Sequence, residues 1–368
     1  MALSKIRLGD YITRSTKNNR DLQYGMNLIT GVTSEGIFAS PKGDPIDVDL
    51  KPYKVVDNGA FVYNPTRIDL GSIAYRTDGL CIVSHLYIIF YLNEKGKKII
   101  DPIWLYMYFR RDEFRREVRF RNFGSQRPEF SFNDMSDIEI PLPDLATQQK
   151  YVDIYKAMVA NQQSYERGLD DLKLVCDGYI EALRRRMPSE KIGPYIEPKD
   201  ERNSDLSIKL AQGITIDKVF SSPKQVAEAE TNAKIVRRGQ FAYNRATTRN
   251  GEKISIAYRE GSDCVVSSAY QVFEIKAKEK LIPEYLMLWY KRAEFDRYAR
   301  YMSKGSAHEF FEFEDMCDVK IPIPDLKTQK AIADIYRVYQ QRKKINEQLK
   351  EQIKNICPIL IKGSLGEE

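Results

Sequence analysis

Histidine is nearly absent from this sequence: 368 residues include only His85 and His308, too few for a His-rich metal site. The five cysteines (Cys81, Cys176, Cys264, Cys317, Cys357) are scattered and form no Cys-x-x-Cys pair. An odd, scattered set suits a reducing cytosol, with thiols used as small apolar side chains. Long hydrophobic runs are missing too. None exceeds the length of Leu86 to Leu92, which is far too short to span a bilayer. The first residues, Met1 to Arg7, hold no apolar signal core. The expectation is a cytoplasmic chain with no membrane partner. No Gly-rich loop follows a strand to cradle a cofactor, and no Walker-type Gly-Lys-Ser/Thr occurs. No cofactor and no catalytic residue is therefore expected in this chain, although missing motifs never exclude an enzyme.

What is present is a foldable, mildly basic chain that repeats itself. Hydrophobic residues make up 42%, enough to bury real cores. The net charge of +6 would suit a polyanion without proving one. Self-similarity at a period of about 182 residues dominates the pattern. Ile140-Pro141-Leu142-Pro143-Asp144-Leu145-x-Thr147-Gln148 returns as Ile321-Pro322-Ile323-Pro324-Asp325-Leu326-x-Thr328-Gln329. Gly59-x-Phe61-x-Tyr63-Asn64 returns as Gly239-x-Phe241-x-Tyr243-Asn244, and Ile73 to Arg76 as Ile256 to Arg259. Gly124-Ser125 matches Gly305-Ser306, and Gly9-x-Tyr11-Ile12 matches Gly193-x-Tyr195-Ile196.

Each half opens with an α+β domain. Val55 to Tyr63 predicts strand, Asn-Gly turn, strand. Cys81 to Leu92 predicts one buried strand, with His85 in the core. Pro102 to Phe120, and its twin Pro283 to Met302, predict a helix with proline in the first turn. A long proline-free stretch then begins at Asp144 and at Asp325, both plausible N-caps. In the first stretch Tyr165, Leu169, Leu172, Cys176, Tyr179 and Leu183 alternate spacings of four and three. In the second, Ile335, Arg342, Leu349 and Ile356 repeat every seven residues, with Val338, Ile345, Gln352 and Ile359 between them. This is coiled-coil spacing, and the economical solution is that the two helices pair. Gly168 and Gly178 interrupt the first helix, and Arg342 and Gln352 the second seam.

Asp101-Pro102-Ile103-Trp104 invites comparison with an amino-methyltransferase motif. The second proline is missing, and Leu281 to Tyr285 merely starts a helix at the same place. Two clusters carry binding chemistry instead. The first is Tyr63, Asn64, Arg67 and Arg76, against Tyr243, Asn244, Arg245, Arg249 and Arg259. Arginine pairs bidentately with guanine and asparagine with adenine. The second follows the inner helix: Ser125, Gln126 and Arg127, against Lys304, Ser306 and His308. Glycine there permits close approach, and serine can hold a phosphate. The dense run Arg110, Arg111, Arg115, Arg116, Arg119 and Arg121 is partly a solvated face and partly a source of phosphate contacts. Residues that read sequence should differ between the halves, and residues that build the frame should match.

On these repeated motifs the chain resembles the specificity (S) subunits of type I restriction-modification systems. The resemblance implies a first target recognition domain over 1–143, a spacer helix over 144–186, a second recognition domain over 187–324 with a linker at 187–198, and a second spacer helix and tail over 325–368. It implies two helices packed as an antiparallel coiled coil that sets the spacing between half-sites. It also implies that each domain reads one part of a bipartite, asymmetric site in double-stranded DNA. Two methyltransferase subunits would dock on this frame and methylate adenine N6 with S-adenosylmethionine, and restriction or translocase subunits can join. Thr147 and Thr328 depart from the usual acidic residue before the glutamine. The alternatives are a self-sufficient DNA methyltransferase or nuclease, and a coiled-coil scaffold that binds no DNA.

Overall fold

The computed structural model describes residues 3–41, 48–122, 129–222, 232–247, 253–305 and 309–366. Both halves of the sequence build the same antiparallel sheet. In the first, strands Ile12–Ser15, Ile88–Leu92, Phe61–Tyr63 and Ile73–Tyr75 lie side by side in that order. In the second, Ile196–Lys199, Tyr270–Ile275, Gln240–Asn244 and Ile256–Tyr258 do so. The registers coincide. Phe61 sits opposite Phe90 and Tyr75, and Phe241 opposite Phe273 and Tyr258. Side chains alternate between faces along a strand. Phe61, Tyr63 and Phe90 enter the main core with the helices, while Val62 and Ile89 enter a smaller core on the other face. Both faces are covered, which is why these strands read as continuous apolar runs.

Three local expectations change. The Asn-Gly turn is real, with Gly59 at φ 89 and its twin Gly239 at φ 95, but it joins two sheets rather than a hairpin. Lys54–Val56 pairs with Cys81–Val83, whereas Phe61–Tyr63 pairs with the larger sheet. The run Cys81 to Leu92 is two strands, parted by a turn in which the Tyr87 amide donates to the Ser84 carbonyl at 3.1 Å. His85 lies exposed in that turn, not in the core. The inner helix is also two, Pro102–Phe109 and Asp112–Arg121. Arg110 is buried at the break, donating to the carbonyls of Gly71 (2.6 Å) and Ser34 (3.1 Å), and Arg111 is extended. The twin breaks at the same place, into Pro283–Tyr290 and Ala293–Met302. Asp101 is an N-cap, accepting from the amides of Ile103 (2.8 Å) and Trp104 (3.2 Å).

The long helices are Leu145–Arg186 and Leu326–Leu365, of 42 and 40 residues, or roughly 60 Å each at about 1.5 Å per residue. Each starts with the same lock. Asp144 caps its helix by accepting from the Thr147 amide (2.9 Å) and hydroxyl (3.0 Å). Asp325 and Thr328 repeat this at 3.0 and 2.8 Å. Threonine at this position thus donates to the cap. Gln148 is fully buried. Its amide donates to the carbonyls of Ile99 (2.8 Å) and Pro143 (2.7 Å), and its Oε1 accepts from the Asp101 amide (2.8 Å). Gln329 does the same with Lys280 (2.6 Å), Pro324 (2.7 Å) and the Ile282 amide (3.1 Å). The repeated glutamine therefore ties a long helix to the inner helix of its own domain.

The compact units are not the two sequence halves. One comprises Met1–Tyr165 with Ile345–Glu368, the other Glu166–Lys344. In the first, Val152 shares a core with Cys357, Leu360 and Ile361, and the Trp104 indole donates to Ser364 at 3.0 Å. The helix continues through Pro358 to Leu365, so the expected tail is mostly helix. In the second, Ile180 packs with Ile332 and Ala333. With Gln162 beside Asn346 in the first unit and Gly168 beside Arg342 in the second, these pairings make the helix segments within each unit antiparallel.

The expected seam holds for most of the first helix, but Tyr179 is exposed and Ile180 is buried in its place. In the second helix one row shifts by one residue. Val338, Ile345 and Ile359 are exposed, while Asn346 and Leu360 are buried. At Ile345 the reason is a buried polar pair: Gln162 donates to Asn346 at 2.9 Å. An apolar pattern points past a buried asparagine to the isoleucine beside it. Gly168 faces Arg342, whose Nη1 would lie 3.1 Å from an added Cβ. Nothing in the structure explains Gly178.

Candidate nucleic-acid interface

In each unit, described chain bordering the second cluster lies beside the first cluster. In the first unit the Phe130 amide donates to the Pro65 carbonyl at 3.0 Å, which lays the chain after the glycine loop beside the Asn64–Arg67 turn. In the second, Phe311 donates to the Arg245 carbonyl at 2.9 Å, and Thr247 to the Glu309 carbonyl at 3.0 Å. Lys304 and Phe310 exchange backbone hydrogen bonds of 3.1 and 2.9 Å. The short helices join the same surface. Arg119 reaches Asp69 at 3.5 Å, and Arg300 pairs with Glu309.

The residues divide into frame and surface. Tyr63 and Tyr243 are fully buried. Tyr63 packs edge-on to Phe90 and Phe130, both at 6.3 Å, and Tyr243 to Phe273 (6.2 Å) and Phe311 (5.9 Å). Burial pushes both phenol pKa values up. These rings are core and cannot reach a base, which corrects their place among the candidate contacts. Asn64 spends its side-chain oxygen on the turn, accepting from the Thr66 amide (3.0 Å) and hydroxyl (2.9 Å). Asn244 accepts likewise from the Ala246 amide at 3.1 Å.

Arg76 and Arg259 are also frame. Their guanidinium groups stack on Phe38 and Phe220, each 5.1 Å from the ring centre. Arg259 is buried and donates to the Ser262 carbonyl at 2.6 Å and to Gln212 at 2.5 Å. The basic run is divided in the same way. Arg110 and Arg111 are buried, and Arg115 and Arg116 pair with Asp112 and Glu113, both at 3.3 Å.

Three described candidates remain on the surface. Arg67 is exposed beside a single helical turn, Ile68–Leu70. Arg245 is part-exposed, 3.2 Å from Glu312 and over the ring of Phe310. Lys304 keeps 79% of its side chain exposed and lies 3.7 Å from Asp315. Ser125, Gln126, Arg127, Arg249, Ser306 and His308 lie outside the described residues. Sequence reasoning missed the locking role of Gln148 and Gln329, although their repetition was the available signal. It also missed Lys218, which is buried, lies in neither repeated motif, and supports the second unit through Asp296 at 2.7 Å. Among the described residues no helix is long and apolar enough to cross a membrane.

Comparison with known proteins agrees with this division into two copies. Over 132 residues, 35% of this chain, it is 24% identical to the type I restriction enzyme HindI specificity subunit of Haemophilus influenzae, and the match spans only 28% of that relative. The fold is similar to that of the S subunit of a type I restriction-modification system from M. genitalium. That likeness has a TM-score of 0.59 at 12% identity and covers 99% of this chain and 96% of the other. It is also similar to a chain from a structural study of the complex assembly and conformational transition of the type I R-M system. Here the TM-score is 0.50 at 16% identity, with 99% and 97% covered. At such identities these likenesses establish a shared fold. The model of the type I restriction modification DNA specificity domain matches twice, at residues 9–171 and 188–355, so the chain belongs to that family and carries two copies of its domain.

Proposed function

We propose that this chain is the DNA-recognition subunit of a type I restriction-modification complex and reads a bipartite, asymmetric target, one half-site per domain. The observation that carries the proposal is the repetition of a DNA specificity domain in which the frame matches and the surface loops do not. Arg67 in one copy stands against Arg245 to Arg249 in the other, in a loop of different length. Base-edge contacts are what specify sequence.

On this reading the chain performs no chemistry itself. The aspartate that most resembled a methyltransferase residue, Asp101, is occupied as a helix cap. Adenine-N6 methylation and S-adenosylmethionine binding belong to two docked methyltransferase subunits, and restriction subunits can join them in the cytoplasm. The long helices set the spacer, so changing their length should alter the tolerated spacer and leave the half-sites unchanged.

The test is long-read detection of methylated adenines in cells expressing the chain with its methyltransferase partner. The expected result is one bipartite motif that disappears when either protein is omitted. Methylation without the partner, or tight S-adenosylmethionine binding by the isolated chain, would favour a self-sufficient enzyme instead.

A further inference from the structure

The most exposed aromatic rings of the described structure occupy equivalent positions. Phe120 is 82% exposed and Tyr301 86%. Each sits in the last turn of the second short helix, Asp112–Arg121 or Ala293–Met302, shortly before the repeated glycine loop. A ring left in water contributes almost nothing to folding. The frame therefore does not explain why both copies carry one.

The surroundings point to the partner. In both helices acidic residues occupy the first turn and basic residues the last. After Glu117 the charged side chains are Arg119 and Arg121, and after Asp296 they are Arg297, Arg300 and Lys304. Basic residues here also complement the helix dipole, but the dipole gives no reason for an exposed ring. The surface is continuous with the base-reading candidates. Arg119 meets Asp69 in the turn after Arg67, and Arg300 pairs with Glu309, whose carbonyl is bonded to Thr247.

We infer that Phe120 and Tyr301, each flanked by these arginines, are a pair of sequence-independent anchors that seat each domain on duplex DNA. The inference rests on the DNA-recognition reading. A ring with arginines beside it fits the apolar face of a deoxyribose between two phosphates. The helix C-terminus repels phosphate, so the arginine side chains, not the backbone, make the ionic contacts. Because both copies carry the feature, it serves positions that do not differ between half-sites. Phosphate and sugar contacts position a protein on DNA, and base contacts specify the sequence.

The test measures binding of the full chain, alone and assembled with its methyltransferase subunits, to two 40-bp duplexes. One carries the methylated motif and the other a scrambled sequence. Phe120→Ala and Tyr301→Ala should each weaken both duplexes by the same factor, about tenfold, on the scale of aromatic contacts to nucleic acid. The salt slope should stay unchanged, because no counterion is released by a neutral ring. Arg119→Gln and Arg300→Gln should instead reduce the slope by about one each. Phe120→Tyr and Tyr301→Phe should retain binding, which separates the ring's role from any folding defect. Wild-type binding with unaffected alanine variants would overturn the anchors alone. So would a loss confined to the motif duplex, which would make the rings base readers, or a loss of subunit assembly in place of DNA affinity. A wild-type chain and complex that bind neither duplex would overturn the DNA-recognition reading, and the anchors with it.

Discussion

The two units solve one packing problem with different side chains. In the first, the hairpin Gly31–Val32 to Phe38–Ala39 turns through Gly36 at φ 73, and the buried cation comes from the helix side as Arg110. A Cβ at Gly36 would lie 2.5 Å from that guanidinium. In the second, the matching hairpin turns through Lys218 at φ 63. Here the cation comes from the hairpin. Lys218 reaches Asp296 at 2.7 Å and donates to the Tyr290 carbonyl. Lys291 stands where Arg110 would be and lies over the ring of Tyr336. Burial pulls the pKa of Lys218 down, and the contact with Asp296 opposes that. The buried hairpin–helix junction keeps a cation, but the element that supplies it has changed. A shared frame therefore does not require shared residues, and a mismatch between copies does not by itself mark a DNA contact.

The largest effect should come from breaking the charged version of this junction. Lys218→Met leaves the Asp296 carboxylate buried without its cation, a loss of about 3–5 kcal/mol. Arg110→Met removes hydrogen bonds to two neutral carbonyls, of which Gly71's still accepts from the Ile73 amide, and should cost less, about 1–3 kcal/mol. Hydrogen exchange resolved along the chain should place each loss in its own unit. Equal losses would show that the two junctions are energetically the same.

The locking glutamines sharpen the comparison from the other side, because here the copies match. Gln148→Leu and Gln329→Leu each remove three buried hydrogen bonds, and each should cost about 3 kcal/mol. Chemical denaturation should give the same value for both within error. A clear difference would mean that one lock is structural and the other spare.

The smallest effect concerns the caps. Hydrogen bonds from the Thr147 amide and hydroxyl hold the Asp144 carboxyl below its usual pKa, and those from Thr328 do so for Asp325. A depressed carboxylate stabilises the folded state above its unfolded pKa and loses that contribution as pH falls through the folded value. Both helix starts should therefore weaken together in acid, below the ordinary aspartate range. Asp144→Asn and Asp325→Asn should flatten this dependence equally, as read from helical circular dichroism across an acid titration.

Much of the frame was legible because it is written twice. The repeated sheet strands, the proline-led inner helices and the capped long helices all carry local signals of periodicity and turn chemistry. What escaped was decided by tertiary contact. The seam of the second helix was misplaced at Ile345 because the buried residue beside it, Asn346, is polar and finds its partner 184 residues away. The inner helix reads as continuous because Arg110, at its break, looks like one more helix-surface arginine until its bonds to the carbonyls of distant turns are seen. In the candidate interface, residue type alone did not separate Arg67 on the surface from Arg76, whose guanidinium is stacked on Phe38. Only packing distinguishes a frame arginine from an available one.

The central claim is that different readers stand on matched frames, and the most direct measurement is the methylome of two single variants. Arg67→Ala and Arg245→Ala should each relax one half-site, a different half for each, with the spacer unchanged and stability little affected. Relaxation of the same half-site by both variants, or a changed spacer in either, would contradict the account.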